Sequence, residues 1–152
     1  IINGYPFVRY QQTEYSSDQL IQRSHDFYTF IKQRRTVRDF SPRQVPKAVI
    51  QNILLTASSA PSGAHKQPWT FCVVSNPEIK KQIRAAAEQE EFESYNSRMS
   101  EEWKEDLKIL ATDWHKPFLE EAPYLIIVFK KVYDLTNENK KRNNYYVSES
   151  VG

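Results

Sequence analysis

Cysteine is almost missing from this chain. The single one, Cys72, excludes an internal disulfide and any zinc site assembled from thiolates among the 152 residues. Set in the apolar run WTFCVV, it reads as a small buried residue. Histidine is scarce too, and His25, His65 and His115 form no ligand pattern. No apolar run approaches the roughly 20 residues that span a bilayer, and no signal peptide is visible. Charge of one sign is not in excess: 21 Lys and Arg stand against 19 Asp and Glu. A bulk electrostatic role on nucleic acid or a membrane surface is therefore disfavoured, and basic clusters have to be read locally.

What is present is a globular balance, 39% apolar and 26% charged, in a length that suits one domain with a real core. The chain starts at Ile1 rather than Met and stops in SESVG, which reads as a segment of a longer protein. Residues 1–15, IINGYPFVRYQQTEY, are aromatic and irregular, an arm that lies on something. A helix is predicted from Ser16 or Ser17 to near Arg34 and Arg35, with Leu20, Ile21, Phe27, Phe30 and Ile31 at helical spacing. Pro46 opens a second helix with an apolar stripe of Val49, Ile50, Ile53, Leu54 and Ala57. Trp69 to Val74 reads as a strand, and Asn76-Pro77-Glu78 as a helix start with an N-cap, a Pro at N1 and an early acid. A further helix is predicted from Ser100, carrying Trp103, Leu107, Leu110 and Trp114. Tyr124 to Val132 is the second clear strand, apolar enough to sit centrally in a sheet. DLTNENKKRNN reads as a polar loop, and YYVSESVG as the start of a helix. Two strands alone rarely make a stable sheet, so completion by later sequence or by a partner chain is expected.

Two segments carry chemistry. QRRTVRDFSPRQVP, Gln33 to Pro46, holds four arginines, three of which surround Thr36 at a helix exit. Guanidinium groups grip phosphate through paired hydrogen bonds, stay cationic at any working pH, and gain a further donor from the hydroxyl. A solvated basic helix end that complements the helix dipole explains the same residues. APSGAHKQPW, Ala60 to Trp69, is a small-residue loop in which Gly63 lets the backbone approach a ligand and Ser62 can donate; a plain turn-rich connector is the other reading.

Taken together the segments say more. A helix ending in Arg34-Arg35-Thr36-Val37-Arg38, then a helix, then Pro61-Ser62-Gly63-Ala64-His65-Lys66-Gln67-Pro68-Trp69 leading into a strand resembles the nitroreductase superfamily of FMN enzymes. Many members carry Asn where this chain has His65; PSGAH instead resembles the iodotyrosine deiodinase branch. RMSEEW, LATDWHKPFLEEAPYLIIVFKKV and YYVSES follow that branch in order and spacing, so the resemblance covers nearly the whole chain.

The resemblance implies an α+β nitroreductase fold, helices around a mixed central sheet, incomplete in this chain. Residues 16–152 would form part of one FMN-binding domain behind the arm, with a substrate lid at about 88–117. Arg34 and Thr36 would hold the FMN phosphate, with Arg35 and Val37 in the same cradle and Arg38 near the flavin pyrimidine edge, where a cation stabilises the reduced form. Thr36 stands where Ser is commoner, but a hydroxyl is retained. Pro61, Ser62 and Gly63 would line the flavin from the other subunit of a homodimer, and Ala64 would offer its N–H to a substrate phenolate. Within EQEEFESYNSRM, Glu88, Glu90 and Glu93 read as a solvated helix face, whereas Glu91 and Tyr95 stand four apart on one face. With Lys116 they would grip an amino acid's zwitterion, Glu91 accepting from the ammonium and Lys116 and Tyr95 donating to the carboxylate. The implied reaction is reductive deiodination of mono- and diiodotyrosine, with electrons from NADPH through a reductase. Two readings stand beside it: a broad-specificity FMN nitroreductase, and a truncated chain without catalysis. Vertebrate members of the branch carry an N-terminal membrane anchor; these residues contain no transmembrane segment.

Overall fold

The computed structural model describes residues 1–152, which form two compact units, Ile1–Val37 and Arg38–Gly152. The first unit is built on one helix, α1 (Ser17–Lys32). Ser16 caps it by accepting from the Gln19 N–H, while the Gln19 side chain accepts from the Ser16 N–H, a capping box that satisfies two orphan donors. The helix stops two residues short of Arg34 because the Gln33 and Arg34 N–H groups turn to the carbonyls three residues back. The preceding arm has one bridge, Ile2 to Tyr5, and is otherwise irregular. The Arg23 guanidinium sits 4.4 Å above the Tyr15 ring, anchoring the end of the arm to α1. The expected apolar face of α1 forms, but Phe27 and Phe30 are exposed and no residue of the helix is buried.

The second unit opens with α2 (Lys47–Ser58), for which Pro46 supplies a preset φ of −57° at the cap. β1 (Trp69–Val74) pairs antiparallel with β2 (Leu125–Lys130), Trp69 opposite Lys130 and Val74 opposite Leu125. Between these strands run α3 (Pro77–Glu93), a π-helical turn at Ser94–Arg98, α4 (Glu101–Lys108) and α5 (Phe118–Glu121). The Asn76 side chain accepts from the Glu78 and Ile79 N–H groups and Pro77 occupies N1, so α3 starts where its local signals put it. A hairpin of β3 (Tyr133–Leu135) and β4 (Lys141–Asn143) follows, and α6 (Val147–Val151) rests against β2.

Four expectations need correction. β2 is not central: it has one neighbour, β1, in a two-stranded sheet. Cys72 is exposed rather than buried, although Val74 on the same face of the strand is buried. The segment read as a polar loop folds into the β3–β4 hairpin, because the Lys141 ammonium lies 4.4 Å over the Tyr133 ring and Thr136 closes the turn through the Lys140 N–H. α4 ends at Lys108, so Leu110 and Trp114 lie outside it. Ala111 takes a φ of 48° and the Asp113 carboxylate captures the His115 N–H at 2.8 Å, a local alternative to helix. The apolar core is correspondingly small, with Val74, Ala122 and Pro68 at its centre.

Candidate functional site

Arg34, Arg35, Thr36 and Val37 close the first unit and Arg38 opens the second. Arg35 donates from Nη1 to the Lys32 carbonyl at 2.6 Å and to the Arg34 carbonyl at 2.8 Å. It thus caps the end of α1, the helix-end role the sequence also allowed. Arg34, Thr36 and Arg38 are exposed, with their donors in solvent.

The loop after α2 is held in an unusual shape. The Ser62 hydroxyl accepts from the Gln67 N–H at 2.8 Å, which leaves its own O–H to donate. Ala64, His65 and Gln67 have φ of 50°, 53° and 45°, the left-handed region, at roughly 1 kcal/mol or more each for a side chain with a Cβ. Such strain persists where the surroundings over-determine it, as they do at ligand clamps. Gly63 permits a close approach, and the group that makes it within the chain is Tyr146. A Cβ on Gly63 would stand 2.9 Å from Tyr146 Cδ2. The Gly63 N–H also reaches the Ser150 Oγ at 3.4 Å, so both the N-cap residue of α6 and its last turn meet this loop.

The third group of residues lies along one face of α3, which grips segment 112–122 in antiparallel order. Lys80, buried, donates from Nζ to the carbonyls of Glu120 and Ala122 at 2.7 Å each. One turn on, Arg84 donates to Glu88 at 2.7 Å and to the Glu120 carboxylate at 3.3 Å. Glu88 then accepts the backbone N–H of Lys116 at 2.7 Å. Glu91 stands 3.5 Å from the Lys116 ammonium, and the Tyr95 hydroxyl donates to the Thr112 carbonyl at 3.3 Å. Tyr95 lies in the π-helical turn, a device found often at functional sites. Glu91, Tyr95 and Lys116 are therefore brought to one corner, with Lys116 also donating to the Asp113 carbonyl at 2.6 Å. Phe92 and Trp114 pack edge to face at 5.4 Å beneath it, and the His115 ring stacks on Trp114 at 3.6 Å.

Glu88 is the residue that pattern reading missed. Glu90 and Glu93 are exposed and bond only on their own surface, to Arg98 and Gln89. Glu88 is half-buried; the Lys116 N–H first, and the Arg84 guanidinium second, hold its carboxyl below the usual carboxylate range. Spacing along α3 exposes the Arg84–Glu88 pair, but nothing local announces a backbone partner 28 residues away. Asp113 is lowered in the same sense, by the His115 N–H and then its ring.

A family model described as the nitroreductase family matches residues 31–150. An iodotyrosine deiodinase of Haliscomenobacter hydrossis is 60% identical to this chain, over 96% of the chain and 66% of that protein. An iodotyrosine deiodinase of Hydra vulgaris is 47% identical, over 95% of the chain and 54% of that protein. Among solved structures, oxidized iodotyrosine deiodinase bound to FMN and 3-iodo-L-tyrosine superposes with a TM-score of 0.69 at 35% identity, over 82% of this chain and 61% of that one. The chain thus spans between half and two thirds of the length of these relatives.

Proposed function

Because this chain belongs to the nitroreductase family, and has that family's α+β fold, we propose that it is part of an FMN-dependent enzyme that removes iodide reductively from mono- and diiodotyrosine. The observation that carries this reading is the corner of Glu91, Tyr95 and Lys116. Glu91 and Lys116 satisfy each other at 3.5 Å. A free amino acid offers each the charge it lacks, an ammonium for Glu91 and a carboxylate for Lys116 and Tyr95. An open, unselective nitroreductase site has no use for such a trio.

The donor set suits FMN. Arg34 and Thr36 present an exposed cation and hydroxyl in one short segment, as a phosphate requires, with Val37 beside them; Arg38 is the cation for the flavin pyrimidine edge, and Arg35 is committed to the end of α1. Pro61, Ser62 and Gly63 line the flavin across a homodimer interface, and the Ser62 hydroxyl, which keeps its proton to donate, suits that role. The exposed apolar faces of α1 and α2 and the two-stranded sheet supply surface for a second copy to cover. The strained Ala64 turn presents a backbone N–H for the substrate phenolate. The chemistry FMN supplies when bound is a pair of electrons, originating in NADPH through a reductase; with one proton they replace the carbon–iodine bond by carbon–hydrogen and free iodide. The lid at about residues 88–117 holds the zwitterion through Glu91, Tyr95 and Lys116, excludes water and fixes the ring.

The test is a titration of FMN into the full-length protein, followed by quenching of flavin fluorescence, and then addition of diiodotyrosine. Tight quenching that strengthens with diiodotyrosine is expected, together with iodide release under reducing conditions. Turnover of nitroaromatics with no preference for a zwitterionic tyrosine would favour the broad nitroreductase instead.

A further inference from the structure

Two carboxylates of α3 meet Lys116, Glu91 at its ammonium and Glu88 at its backbone N–H. We propose that Glu88 is the positioning residue of the Lys116 side of the clamp, setting substrate affinity by holding the Lys116 backbone; the inference rests on the clamp reading above. Three features of the structure carry it.

The first is where Lys116 sits. It lies in the turn between Ala111 and α5, outside any strand, and its N–H goes to the Glu88 carboxylate at 2.7 Å. A charge-assisted bond of this kind is among the stronger ones a side chain makes to backbone. Glu88 therefore fixes the point from which the Lys116 side chain departs.

The second is that Glu88 is itself fixed. The oxygen that takes the Lys116 N–H also takes Arg84 Nε at 2.7 Å. Arg84 is in turn tied to Glu120 on α5, and Lys80 closes the carbonyl end of α5 from one turn further back on α3. These contacts hold both ends of the Lys116–Ala122 segment to a single helix face, so the acceptor cannot follow a displaced Lys116.

The third is the division of labour along α3. Glu88 and Glu91 are three apart on the same face. Glu88 takes the backbone of Lys116, and Glu91 approaches its ammonium at 3.5 Å. Glu91 is thereby free to exchange Lys116 for the substrate ammonium without releasing the loop. Glu88 is not available for the second task, because its charge is already paired with the Arg84 guanidinium at 2.7 Å.

The experiment uses the full-length, FMN-bound protein and compares Glu88→Gln, Lys116→Gln and the double variant. Glu88→Gln keeps an acceptor of the same shape and loses the charge. We expect diiodotyrosine affinity, read from flavin fluorescence, to fall roughly tenfold. FMN affinity and kcat at saturating substrate should stay within about twofold. The double variant should bind diiodotyrosine no more weakly than Lys116→Gln alone, because Glu88 acts through Lys116. A merely structural role would make the two losses add and would lower FMN affinity as well; either result overturns the proposal. Unchanged diiodotyrosine affinity in Glu88→Gln overturns it too. The underlying clamp reading fails separately, if Lys116→Gln leaves diiodotyrosine affinity unchanged. Should Glu88→Gln not yield FMN-bound protein, Glu88→Asp, which keeps the charge and shortens the reach, carries the same comparison with the same expected loss.

Discussion

The carboxylate of Glu91 stands 3.5 Å from the ammonium of Lys116 across the gap between α3 and the turn before α5. The pair is partly exposed, so its own contribution to stability is small, and its interest lies in what can replace it. A zwitterion inserted there exchanges one internal ion pair for two charge-assisted contacts. Lys116→Gln and Glu91→Gln should each weaken iodotyrosine binding, by roughly ten- to a hundredfold, with FMN binding nearly unchanged. Separate titrations of the two ligands check this, and parallel losses for both would remove the clamp.

The basic segment after α1 makes a second prediction. Arg35 is occupied by the end of its own helix, so the proposed FMN reading assigns the phosphate to Arg34 and Thr36. Replacing both with Ala should release FMN on dialysis while α1 keeps its circular dichroism, since its capping box at Ser16 lies at the other end. A double variant that still holds FMN would place the phosphate elsewhere.

Lys80 is a buried cation with two carbonyl partners. Lys80→Met fills the space but strands the carbonyls of Glu120 and Ala122. A loss of about 2–4 kcal/mol is expected in urea unfolding, with the segment leading into β2 the first to exchange its amide hydrogens. A neutral outcome would mean that solvent reaches those carbonyls readily.

Acid should open the corner through Glu88. Its carboxyl is held low by the Lys116 N–H and by Arg84. A group whose pKa is depressed by folding adds stability above its unfolded pKa and loses that contribution as pH falls through the folded one. The Lys116 amide should therefore stay protected near neutral pH and lose protection below about pH 4, and Glu88→Gln should abolish that step. Hydrogen exchange across this range measures it; the same acid step in the Gln variant would assign it to another group, of which Asp113 is the nearest lowered one.

Local physics was legible in the residues alone. The helix start at Ser16 or Ser17, Asn76-Pro77-Glu78 and the aromatic and β-branched run of Trp69 to Val74 each settle a start or an element through residues a few positions apart. The trio of Glu91, Tyr95 and Lys116 was legible only through the order of motifs along the chain, since an isolated lysine in TDWHKPF has nothing to distinguish it. The length of α4 was misread because the pattern of Trp103, Leu107, Leu110 and Trp114 ignores the Asp113 side chain, which competes for the backbone.

What the sequence by itself determined is where α1, α2, α3 and β1 begin and which side chains they present. What only the tertiary structure decided is the pairing across distance: Glu88 with the Lys116 N–H, Lys80 with the Ala122 carbonyl, and Tyr146 over Gly63. Capping and periodicity act between neighbours and are written in adjacent letters. A backbone N–H or a carbonyl looks the same at every residue, so its partner is settled only when the chain has folded and brought one acceptor within reach.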